Sequence, residues 1–554
     1  MDSGYAVPLL VAAIVLASAL GKARARRKSA VRRARQWGMD APAHRLDADD
    51  LRDIASYCRA KEGESPCAVD AITWNDLNMD AVFARMDTAC SNAGEEALYD
   101  MLHRTDAAEE TLDRRIRIME AVAGNEQARM QMRLVLGKLG RARFHGAHGY
   151  LFHSSASRVE HAGVYLAMGI CPFAVLLLAL FTTPACLLAL IPVFAANLIV
   201  YYRSGRVFMS QIAAVRHIAS VLETARRLCA CLPPELEEIA QEMRVHIERL
   251  RPVRRWNALF AMQRVSEFDF LTDYLRIFFQ LDMICLSRLS ACFQRENAAL
   301  RSLYAQVGEL DACMAVAGFK KAAQTACVPS FFPDSSAMRV EARELVHPLI
   351  GHPVGNDLFL TGGALITGSN ASGKSTFIKA LAINAILAQT VAVCTARTFC
   401  LSRAQVMTSM ALRDNVSGGE SYFVVEVRSL QRVMEAVRRG RKVICMIDEI
   451  LRGTNTVERI AASRALLEAL DRENCLCMAA THDQELTRLL PGYRQMHFAE
   501  TFERGEMRFS YRLLDGPSNT RNALLLMRQM GFPDELTGKA EACARIFDET
   551  GTWR

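Results

Sequence analysis

A glycine-containing segment with one lysine and three serines, residues 368–375, separates an apolar run from a helix-like run in the 554-residue chain. Its spacing is G-x-x-x-x-G-K-S, with Gly368 and Gly373 as the glycines and Lys374 and Ser375 at the end. Glycines let backbone N–H groups approach a phosphate without a Cβ clash, and the following helix points its positive end at the anion. The spacing therefore predicts a P-loop that binds nucleotide phosphates.

Two residues of this loop have individual expected roles. Lys374 is expected to reach the β- and γ-phosphate oxygens, and the Ser375 hydroxyl is expected to bind Mg²⁺. We therefore predict that the chain binds ATP and Mg²⁺. The alternative, a chance glycine turn before a helix, is disfavoured by the strand-like run before it and the helix-like run after it. The predicted nucleotide-binding residues are Gly368, Ser369, Asn370, Ala371, Ser372, Gly373, Lys374, Ser375 and Thr376.

Two acidic residues end a second apolar run, at 443–447. A buried strand here would deliver Asp448 to the Mg²⁺ shell, and Glu449 would polarise the attacking water. An apolar strand that ends in two acids is common on its own. Its place downstream of a P-loop favours the catalytic interpretation.

Two further segments have side chains that could act on a phosphate. His482 follows the apolar run 475–481 and is expected to sense the γ-phosphate or to position water; the alternative is a structural histidine at a strand end. Residues 417–423 form a glycine-containing serine loop before a helix, which could present a hydroxyl to phosphate. A P-loop on one subunit and such a loop on another would make a composite site, whereas the alternative is a plain helix cap.

These motifs need an α/β scaffold, and the pattern supplies one. From about residue 340, strand-like and helix-like runs alternate, as in an α/β nucleotide-binding domain. Residues 521–547 are predicted to form short helices. Predicted strands are 363–368, 390–395, 443–447 and 475–481, followed by a hairpin of Met496–Phe502 and Met507–Leu513.

The charge distribution and the cysteine spacing disfavour some classes of function. A basic run from Lys22 to Arg35 accounts for the net charge of +7, so the rest of the chain carries no protein-wide field for nucleic acid. The 17 cysteines include no C-x-x-C pair and no zinc-like spacing. They are interpreted as small core residues in a reducing compartment.

Two apolar stretches predict membrane spans. Residues 5–20 are almost wholly apolar and precede the basic run, for which a lipid-headgroup anchor is favoured over a nucleic-acid arm. Residues 162–202 carry no Asp, Glu, Lys or Arg and break at 182–184, which predicts a helical hairpin. The alternative is a buried helical pair in a soluble core. The positive-inside rule places both large soluble parts in the cytoplasm of a multi-pass cell-membrane protein.

The remaining sequence is predicted to be helical. Residues 271–286 are apolar but contain Asp273, Arg276 and Asp282, so we interpret them as a packed helix and not as a span. The chain is divided into a transmembrane span (1–21), a basic juxtamembrane segment (22–37), the first part of a helical core (38–160), a transmembrane hairpin (161–203), a second helical or lever part (204–344), an ATPase domain (345–520) and C-terminal helices (521–554).

At these motifs the sequence resembles the MutS family of mismatch-repair ATPases. TGSNASGKSTFIK is similar to its P-loop, DEILRGTNTVER to its Walker B segment, ATHDQEL to its histidine switch and DNVSGGESYFVVEV to its serine loop. HPLIGHPVGNDLFL is similar to the strand that leads into its ATPase domain. Glu309–Asp311 and the stretch from Asp76 through Gly94 to Arg114 are similar to its helical core.

The resemblance implies a fold, an assembly and a set of roles. The fold is an all-α core followed by a MutS/ABC-like α/β P-loop ATPase domain, and the assembly is a homodimer. Lys374, Ser375 and Asp448 would hold Mg-ATP, and Glu449 would activate water. Ser421 would reach the partner's γ-phosphate, so the implied catalytic set also includes Lys374, Ser421 and His482. ATP would move helical arms, which in the family embrace DNA.

The sequence also departs from the family pattern. We expect it to lack the domain that carries a Phe-x-Glu wedge for mismatches, and the predicted membrane hairpin falls inside the helical core. Pro353, beside His352, stands where the family has an adenine-stacking aromatic residue. The near-neutral soluble parts do not support duplex binding. The chain thus resembles a membrane-anchored MutS-like subgroup without mismatch recognition.

The predicted function is that of a membrane-anchored, homodimeric ATPase that moves helical arms, acting on structured or damaged DNA. The alternative is a membrane ATPase that acts on a protein or lipid partner and has no DNA role. A transporter-type ATPase is disfavoured because the predicted membrane part has few spans and no charge to mark a substrate path. A non-enzymatic scaffold is disfavoured because Lys374, Asp448, Glu449 and His482 are all present.

Overall fold

The computed structural model of the chain divides into two compact units. Unit 1 comprises residues 1–66, 86–100 and 113–319, and unit 2 comprises 67–85, 101–112 and 320–554. The predicted first span and all of the basic segment except Trp37 lie outside the described residues. The described residues are 37–39, 46–62, 69–141, 143, 146–152, 162–253, 256, 269–333, 337–369, 372–410, 422–503, 506–518, 524, 527–528 and 530–550.

The helices before residue 330 follow from amphipathic sequence patterns, with acidic residues in several first turns. Two short 3₁₀ turns, Pro184–Ala189 and Pro234–Leu236, also occur among the described residues. The helices are α1 (Ala48–Ala60), α2 (Ala71–Asp76), α3 (Met79–Met86), α4 (Asn92–His103), α5 (Glu109–Gly124), α6 (Glu126–Leu139), α7 (Ala147–Phe152), α8 (Ala162–Phe181), α9 (Leu190–Leu228), α10 (Glu237–Arg249), α11 (Asp269–Phe278), α12 (Leu281–Arg295) and α13 (Asn297–Ala322).

The core of unit 1 is built around α13, which is buried along most of its length. Its Asp311 is fully buried and accepts hydrogen bonds from the Ser91 backbone N–H at 2.8 Å and from the Ser91 hydroxyl at 2.6 Å. A Cβ on Gly94 would lie 2.5 Å from the Asp311 carboxylate, so only glycine fits there. The two stretches whose resemblance to a helical core was noted separately therefore contact each other at Gly94 and Asp311.

An apolar helical hairpin extends from unit 1. Helix α8 ends at Phe181, the chain turns at 182–184, and the return path runs through the 3₁₀ turn into α9. Among the described residues, two stretches, Gly163–Phe181 and Pro184–Arg203, are long and apolar enough to cross a membrane by length and composition. Most of both stretches is exposed in the protein. The predicted turn is confirmed, and α9 continues without a break past the predicted boundary at 203.

Unit 2 contains two sheets in its described part. One has the strand order β1-β5-β2-β3, and the other has the order β10-β9-β4-β8-β7-β6. In the second sheet all neighbouring strands are parallel except the final pair, β10 and β9. The strands are β1 (Ser330–Phe331), β2 (Arg339–Leu345), β3 (Asn356–Thr361), β4 (Ala364–Thr367), β5 (Thr398–Leu401), β6 (Gln405–Met410), β7 (Val443–Asp448), β8 (Cys475–Ala480), β9 (Arg494–Glu503) and β10 (Glu506–Asp515).

The central strands β7 and β8 are buried at every position, as expected for parallel strands covered on both faces. Helices follow strands along the chain, which gives the α/β pattern predicted from the sequence. These helices are α14 (Lys374–Thr390), α15 (Tyr422–Arg438), α16 (Thr456–Leu470), α17 (Gln484–Leu489) and α18 (Asp534–Thr550).

The edge strand β6 is covered by helix α2, which the chain supplies from far upstream. The Thr408 backbone N–H donates to Thr73 Oγ1 at 3.2 Å, and the Met410 N–H donates to Asp76 Oδ2 at 3.1 Å. The Thr408 hydroxyl also donates to Asp76 Oδ2, at 2.7 Å. Side chains of α2 thus satisfy donors that an exposed sheet edge would leave free.

The predicted strand at 390–395 is wrong. Helix α14 extends to Thr390, and a buried irregular segment follows it. Cys394 and Cys327 form an isolated antiparallel bridge, in which each N–H donates to the other residue's carbonyl at 2.9 Å. The Asn384 side chain contributes one further bond, because its Oδ1 accepts the Thr395 N–H at 2.6 Å. In the predicted C-terminal helical region, the described residues 524, 527 and 528 are helical, and α18 runs from Asp534 to Thr550.

Candidate nucleotide site

Three neighbouring strands of the larger sheet end in one row. Ile366 of β4 pairs with Ala480 of β8, which pairs with Asp448 of β7. The row continues one residue further, because Thr481 N–H donates to Ile366 O at 3.0 Å and Glu449 N–H donates to Ala480 O at 3.1 Å. Neighbouring strands lie about 4.8 Å apart, so the three following segments begin within about 10 Å of one another.

The three segments that follow these strand ends contain the candidate motifs noted in the sequence. They are the glycine loop from Gly368, the segment from Glu449 and the segment that contains His482. The carboxyl edge of a parallel sheet is where α/β domains place their ligands. The topology therefore brings together residues that are far apart in sequence.

The glycine loop has the backbone conformation that its composition predicts. Gly368 has φ 139° and Gly373 has φ 108°, both in a region that side chains rarely adopt. A Cβ on Gly368 would also lie 2.9 Å from Phe498 O. Lys374 begins α14, and its Nζ donates to Gly368 O and Ser369 O, each at 2.6 Å. The ammonium group is thus held against the loop that the phosphates would occupy.

Glu449 lies between two cationic or ionisable side chains. His482 Nε2 is 3.1 Å from Glu449 Oε1, and Arg452 forms an ion pair with the same carboxylate. Burial by itself would raise the pKa of Glu449, but the hydrogen bonds from His482 and Arg452 outweigh it, and the pKa lies below its ordinary value. Glu449 is therefore a carboxylate at neutral pH, as a base that activates water must be.

The backbone at Glu449 and Leu451 adopts positive φ angles of 60° and 55°. Such angles are strained for non-glycine residues and persist only where the surroundings fix them. The Leu451 N–H donates to the buried Glu426 carboxylate of α15 at 2.5 Å. Burial raises the pKa of Glu426 despite this hydrogen bond and one from the Arg452 backbone. Helix α15 thus fixes the loop that carries Glu449.

His482 is positioned by its two sequence neighbours. Thr481 continues the strand row, and its Oγ1 accepts the Asp483 N–H at 3.0 Å. The Asp483 carboxylate receives two hydrogen bonds from Arg459, at 2.9 Å from Nε and 2.6 Å from the terminal nitrogen. This hydrogen bonding raises the pKa of Arg459, so its guanidinium stays charged. A two-point contact of this kind fixes orientation as well as position.

The donor set at the sheet edge fits a Mg²⁺ ion bound together with phosphates. Asp448 Oδ1 is buried and has no hydrogen-bond partner among the described residues. Ser372 Oγ in the glycine loop is likewise buried and unpartnered there. The described residues include no group of three or more His, Cys, Asp and Glu that could hold a metal. Mg²⁺ keeps several waters and uses only one or two protein ligands, so Ser375 and Asp448 suffice.

A pocket of about 340 Å³ adjoins the glycine loop. Burial, with a smaller contribution from the charge of Lys379, lowers the pKa of the pocket's His347 to about 4, so this ring is neutral at physiological pH. The lining is mostly apolar, and its size suits a nucleoside. The lining residues are Leu345, His347, Ile350, His352, Pro353, Val354, Asn356, Gly373, Thr376, Phe377, Ala380, Phe498 and Tyr511.

Tyr511 is brought to this pocket by an irregularity in β10. The pairing of β10 with β9 shifts between Phe509 and Leu513, and Tyr511 has φ 53°. Asn356 of β3 holds both sides of the shift, because its Nδ2 donates to Tyr511 O at 3.0 Å and its Oδ1 accepts the Leu513 N–H at 2.7 Å. An aromatic ring therefore lines the pocket although Pro353 stands at the position noted from the sequence.

Three predicted site residues, Asn370, Ala371 and Ser421, lie outside the described residues. Sequence reasoning missed Arg452, Arg459 and Tyr511. The two arginines belong to the DEILRGTNTVER segment, so their proximity to the acids was a usable signal. Tyr511 had no such signal, since its role depends on a strand irregularity and on Asn356, 155 residues away in sequence.

The fold and this edge of the sheet place unit 2 in the α/β class whose functional side chains follow the ends of parallel strands. Comparison with known proteins refines this class. Residues 364–548 match the family model for MutS domain V. The chain is also 31% identical to the DNA mismatch repair protein MutS of Thermus thermophilus over 256 residues, which is 45% of this chain and 30% of the relative.

Two other relatives give the same result. The identity is 31% over 255 residues with the DNA mismatch repair protein MutS of Thermus aquaticus, or 45% of this chain and 30% of the relative. It is 31% over 182 residues with the DNA mismatch repair protein MutS 2 of Haloarcula marismortui, or 32% of this chain and 19% of the relative. Part of the chain is therefore similar to MutS proteins. The aligned part of the chain covers less than a third of the length of these relatives.

Proposed function

We propose that the chain is a membrane-anchored MutS-like ATPase that acts as a homodimer and moves its helical unit on structured or damaged DNA. The observation that carries the ATPase is the row of strand ends from which the glycine loop, Glu449 and His482 begin. The match of residues 364–548 to MutS domain V supports the same activity.

The residues of the site have distinct proposed roles. Lys374 and the backbone of the glycine loop bind the phosphates of ATP. Ser375 and Asp448 hold Mg²⁺, which supplies neutralisation of phosphate charge. Glu449 accepts a proton from the attacking water, and His482 orients the Glu449 carboxylate through the 3.1 Å contact. The pocket beside Tyr511 takes the nucleoside.

The hairpin supports the membrane anchor. Its exposed apolar side chains include Phe173, Leu177, Leu180, Phe181 and Leu188. A continuous apolar surface of this kind is costly in water, whereas its length matches the hydrocarbon thickness of a bilayer. With Arg203 at the end of the second stretch, both ends of the hairpin lie on the cytoplasmic side.

The DNA substrate is supported by the similarity to proteins named for DNA mismatch repair, whereas the homodimer rests on the resemblance of the ATPase motifs noted in the sequence. A second candidate, an ATPase that acts on a protein or lipid partner, is favoured by the same exposed hairpin. The two candidates differ in what stimulates turnover. Contacts with DNA phosphates make stimulation depend on salt, whereas a partner within the membrane does not require nucleic acid.

The test is steady-state ATP hydrolysis by the full chain in nanodiscs, with homoduplex, mismatched or branched DNA, at two salt concentrations. Salt-sensitive stimulation by one DNA form supports the first candidate and names its substrate. Turnover that ignores every DNA form supports the second candidate. Lys374→Ala in the same nanodiscs is the control for contaminating ATPases and should abolish turnover in both cases.

A further inference from the structure

Helix α11 and the turn after it pack against the interior of the apolar hairpin. The Phe279 ring stacks on Phe173 of α8 with centroids 4.4 Å apart. On the other side, Phe194 of α9 lies 5.8 Å from the Phe278 ring and 6.2 Å from the Tyr274 ring. The end of α11 and the residue after it therefore contact both helices of the hairpin.

The contacted positions are well inside the hairpin and not at its ends. At 1.5 Å per residue, Asn197 and Phe194 precede Arg203 by about 9 and 14 Å of helix, and Phe173 follows Ala162 by about 16 Å. The hydrocarbon core of a bilayer is about 30 Å thick. The packed region thus extends from about 9 to about 16 Å along the helices, which is from the cytoplasmic half to about the centre of the hydrocarbon core.

The break between α11 and α12 is capped in a way that suits a water-poor environment. Gln280 has φ 51°, so the helix cannot continue through it. Buried Asn197 donates from Nδ2 to Phe278 O at 2.6 Å, and Gln280 donates from Nε2 to Ile277 O at 3.3 Å and to Asn197 O at 2.6 Å. Carbonyls freed at a helix end need protein donors where no water is present.

The backbones of α8 and of the turn after α11 also approach each other closely. A Cβ on Gly169 of α8 would lie 2.5 Å from Phe279 O. Small residues at such crossings let backbones approach, as in packed membrane helices. The turn that contains Phe279 and Gln280 therefore packs closely against α8 at Gly169.

We propose that α11, the turn at Gln280 and the start of α12 form a re-entrant element that enters the cytoplasmic half of the bilayer without crossing it. The proposal rests on the membrane anchoring proposed above. Tyr274 and Leu275, which are 55% and 46% exposed, contact lipid acyl chains in this arrangement. The surface of the protein that contacts lipid then includes part of α11 as well as the hairpin.

Two of the three charges that argued against a span, Arg276 and Asp282, are paired in a way that is compatible with this placement. Arg276 donates from Nε to Asp282 Oδ1 at 3.0 Å, and Tyr201 donates from Oη to Asp282 Oδ2 at 2.8 Å. Tyr201 precedes Arg203 by only about 3 Å of helix. The paired charges are thus linked to the level of the membrane interface, where tyrosine is enriched.

The experiment is photo-crosslinking of the full chain in phosphatidylcholine vesicles. p-Benzoyl-phenylalanine replaces Leu275, and in separate samples it replaces Leu177 of the hairpin or Val245 of α10, which are 62% and 54% exposed. Mass spectrometry of the irradiated peptides measures phospholipid adducts. We expect adducts at 275 and 177, with the yield at 245 at least tenfold lower.

The outcomes separate the two proposals. Adducts at 177 without adducts at 275 would overturn the re-entrant element and leave the hairpin in the membrane. Absence of adducts at both positions would overturn the membrane anchor and the re-entrant element together. Crosslinks from 275 to a second protein chain in place of lipid, or equal yields at 275 and 245, would also overturn the re-entrant element.

A variant tests the cap directly. Asn197→Leu removes the donor to Phe278 O and leaves the exposed hairpin surface at Leu177 in place. We expect the lipid-adduct yield at 275 to fall several-fold while the yield at 177 is retained. An unchanged yield at 275 would contradict the capping of the turn by Asn197.

Discussion

His482 Nε2 lies 3.1 Å from Glu449 Oε1, and the two residues reach this contact from the ends of adjacent parallel strands. The contact depends on the register of β7 and β8, in which Asp448 pairs with Ala480. Each residue stands just beyond its strand, so the sheet fixes their separation. Arg452 completes the surroundings of the carboxylate from the same loop.

The pH dependence of hydrolysis should report on Arg452. Arg452 helps to keep the pKa of Glu449 below its ordinary value of 4.5, against burial, which raises it. Arg452→Ala therefore raises this pKa. Because the base works only when deprotonated, the acidic limb of the kcat profile moves to higher pH. The measurement is kcat for ATP between pH 4.5 and 9.

The control for that shift is Arg464→Ala. Arg464 pairs with Glu468 on an exposed face of α16, at 2.8 Å, and removing it should leave the profile unchanged. An Arg452→Ala enzyme that retains turnover and has the wild-type acidic limb would contradict the proposed effect of Arg452 on Glu449.

The cover on the edge strand β6 should depend on Asp76. Asp76→Ala leaves the Met410 N–H and the Thr408 hydroxyl without their acceptor, which costs about 1–3 kcal/mol locally. We expect faster hydrogen exchange of the amides in Gln405–Met410, measured by mass spectrometry. Asp76→Asn should preserve most of the protection, because it keeps an acceptor oxygen.

The pKa of Asp76 bears on the comparison of Asp76→Ala with Asp76→Asn. Burial raises the pKa of Asp76, although hydrogen bonds from Thr408 and Met410 oppose the shift. A neutral amide therefore avoids the cost of a buried charge at neutral pH. Asp49→Ala, on the exposed side of α1, is the matched control. Equal exchange in wild type and Asp76→Ala would show that the contact does not protect β6.

Because Tyr511 lines the proposed nucleoside pocket, we expect its ring to contribute to the affinity for ATP. Stacking of a base on an aromatic ring contributes about 1–3 kcal/mol, so Tyr511→Ala should raise the KM for ATP about tenfold. The change leaves Glu449 and His482 in place, and kcat should stay within about twofold. Steady-state kinetics measure both constants.

Two further variants make this prediction specific. Tyr511→Phe keeps the ring and should keep the KM. Phe359→Ala removes an exposed ring of β3 that does not line the pocket, and it should have no effect. A wild-type KM in Tyr511→Ala would remove the ring from the nucleotide site.

Much of unit 2 could be predicted because local pattern and global fold agree there. The apolar runs before Gly368, Asp448 and His482 became buried parallel strands, and the glycines took the positive φ angles that their positions required. The C-terminal hairpin around residues 504–505 is confirmed by the pairing of β9 with β10. Each of these features is encoded within a few neighbouring residues.

The failures have a common physical cause. The run 391–395 is apolar enough for a strand, but its pairing is limited to an isolated bridge between Cys394 and Cys327, and the next N–H, that of Thr395, is taken by the Asn384 side chain. The cover of β6 by Thr73 and Asp76 joins residues more than 330 positions apart. Tyr511 reaches its pocket through Asn356. Side chains that replace backbone partners across long sequence distances leave no periodic pattern.

The most direct test of the ATPase is Glu449→Gln in nanodisc-held full chain. The amide keeps the shape of the side chain but cannot accept the proton from water, so kcat should fall by at least about 100-fold. ATP binding, measured by equilibrium dialysis with a labelled nucleotide, should stay close to that of the wild type. Glu468→Gln, on an exposed face of α16, is the control and should hydrolyse ATP normally. Near-normal turnover in Glu449→Gln would contradict the account of the site.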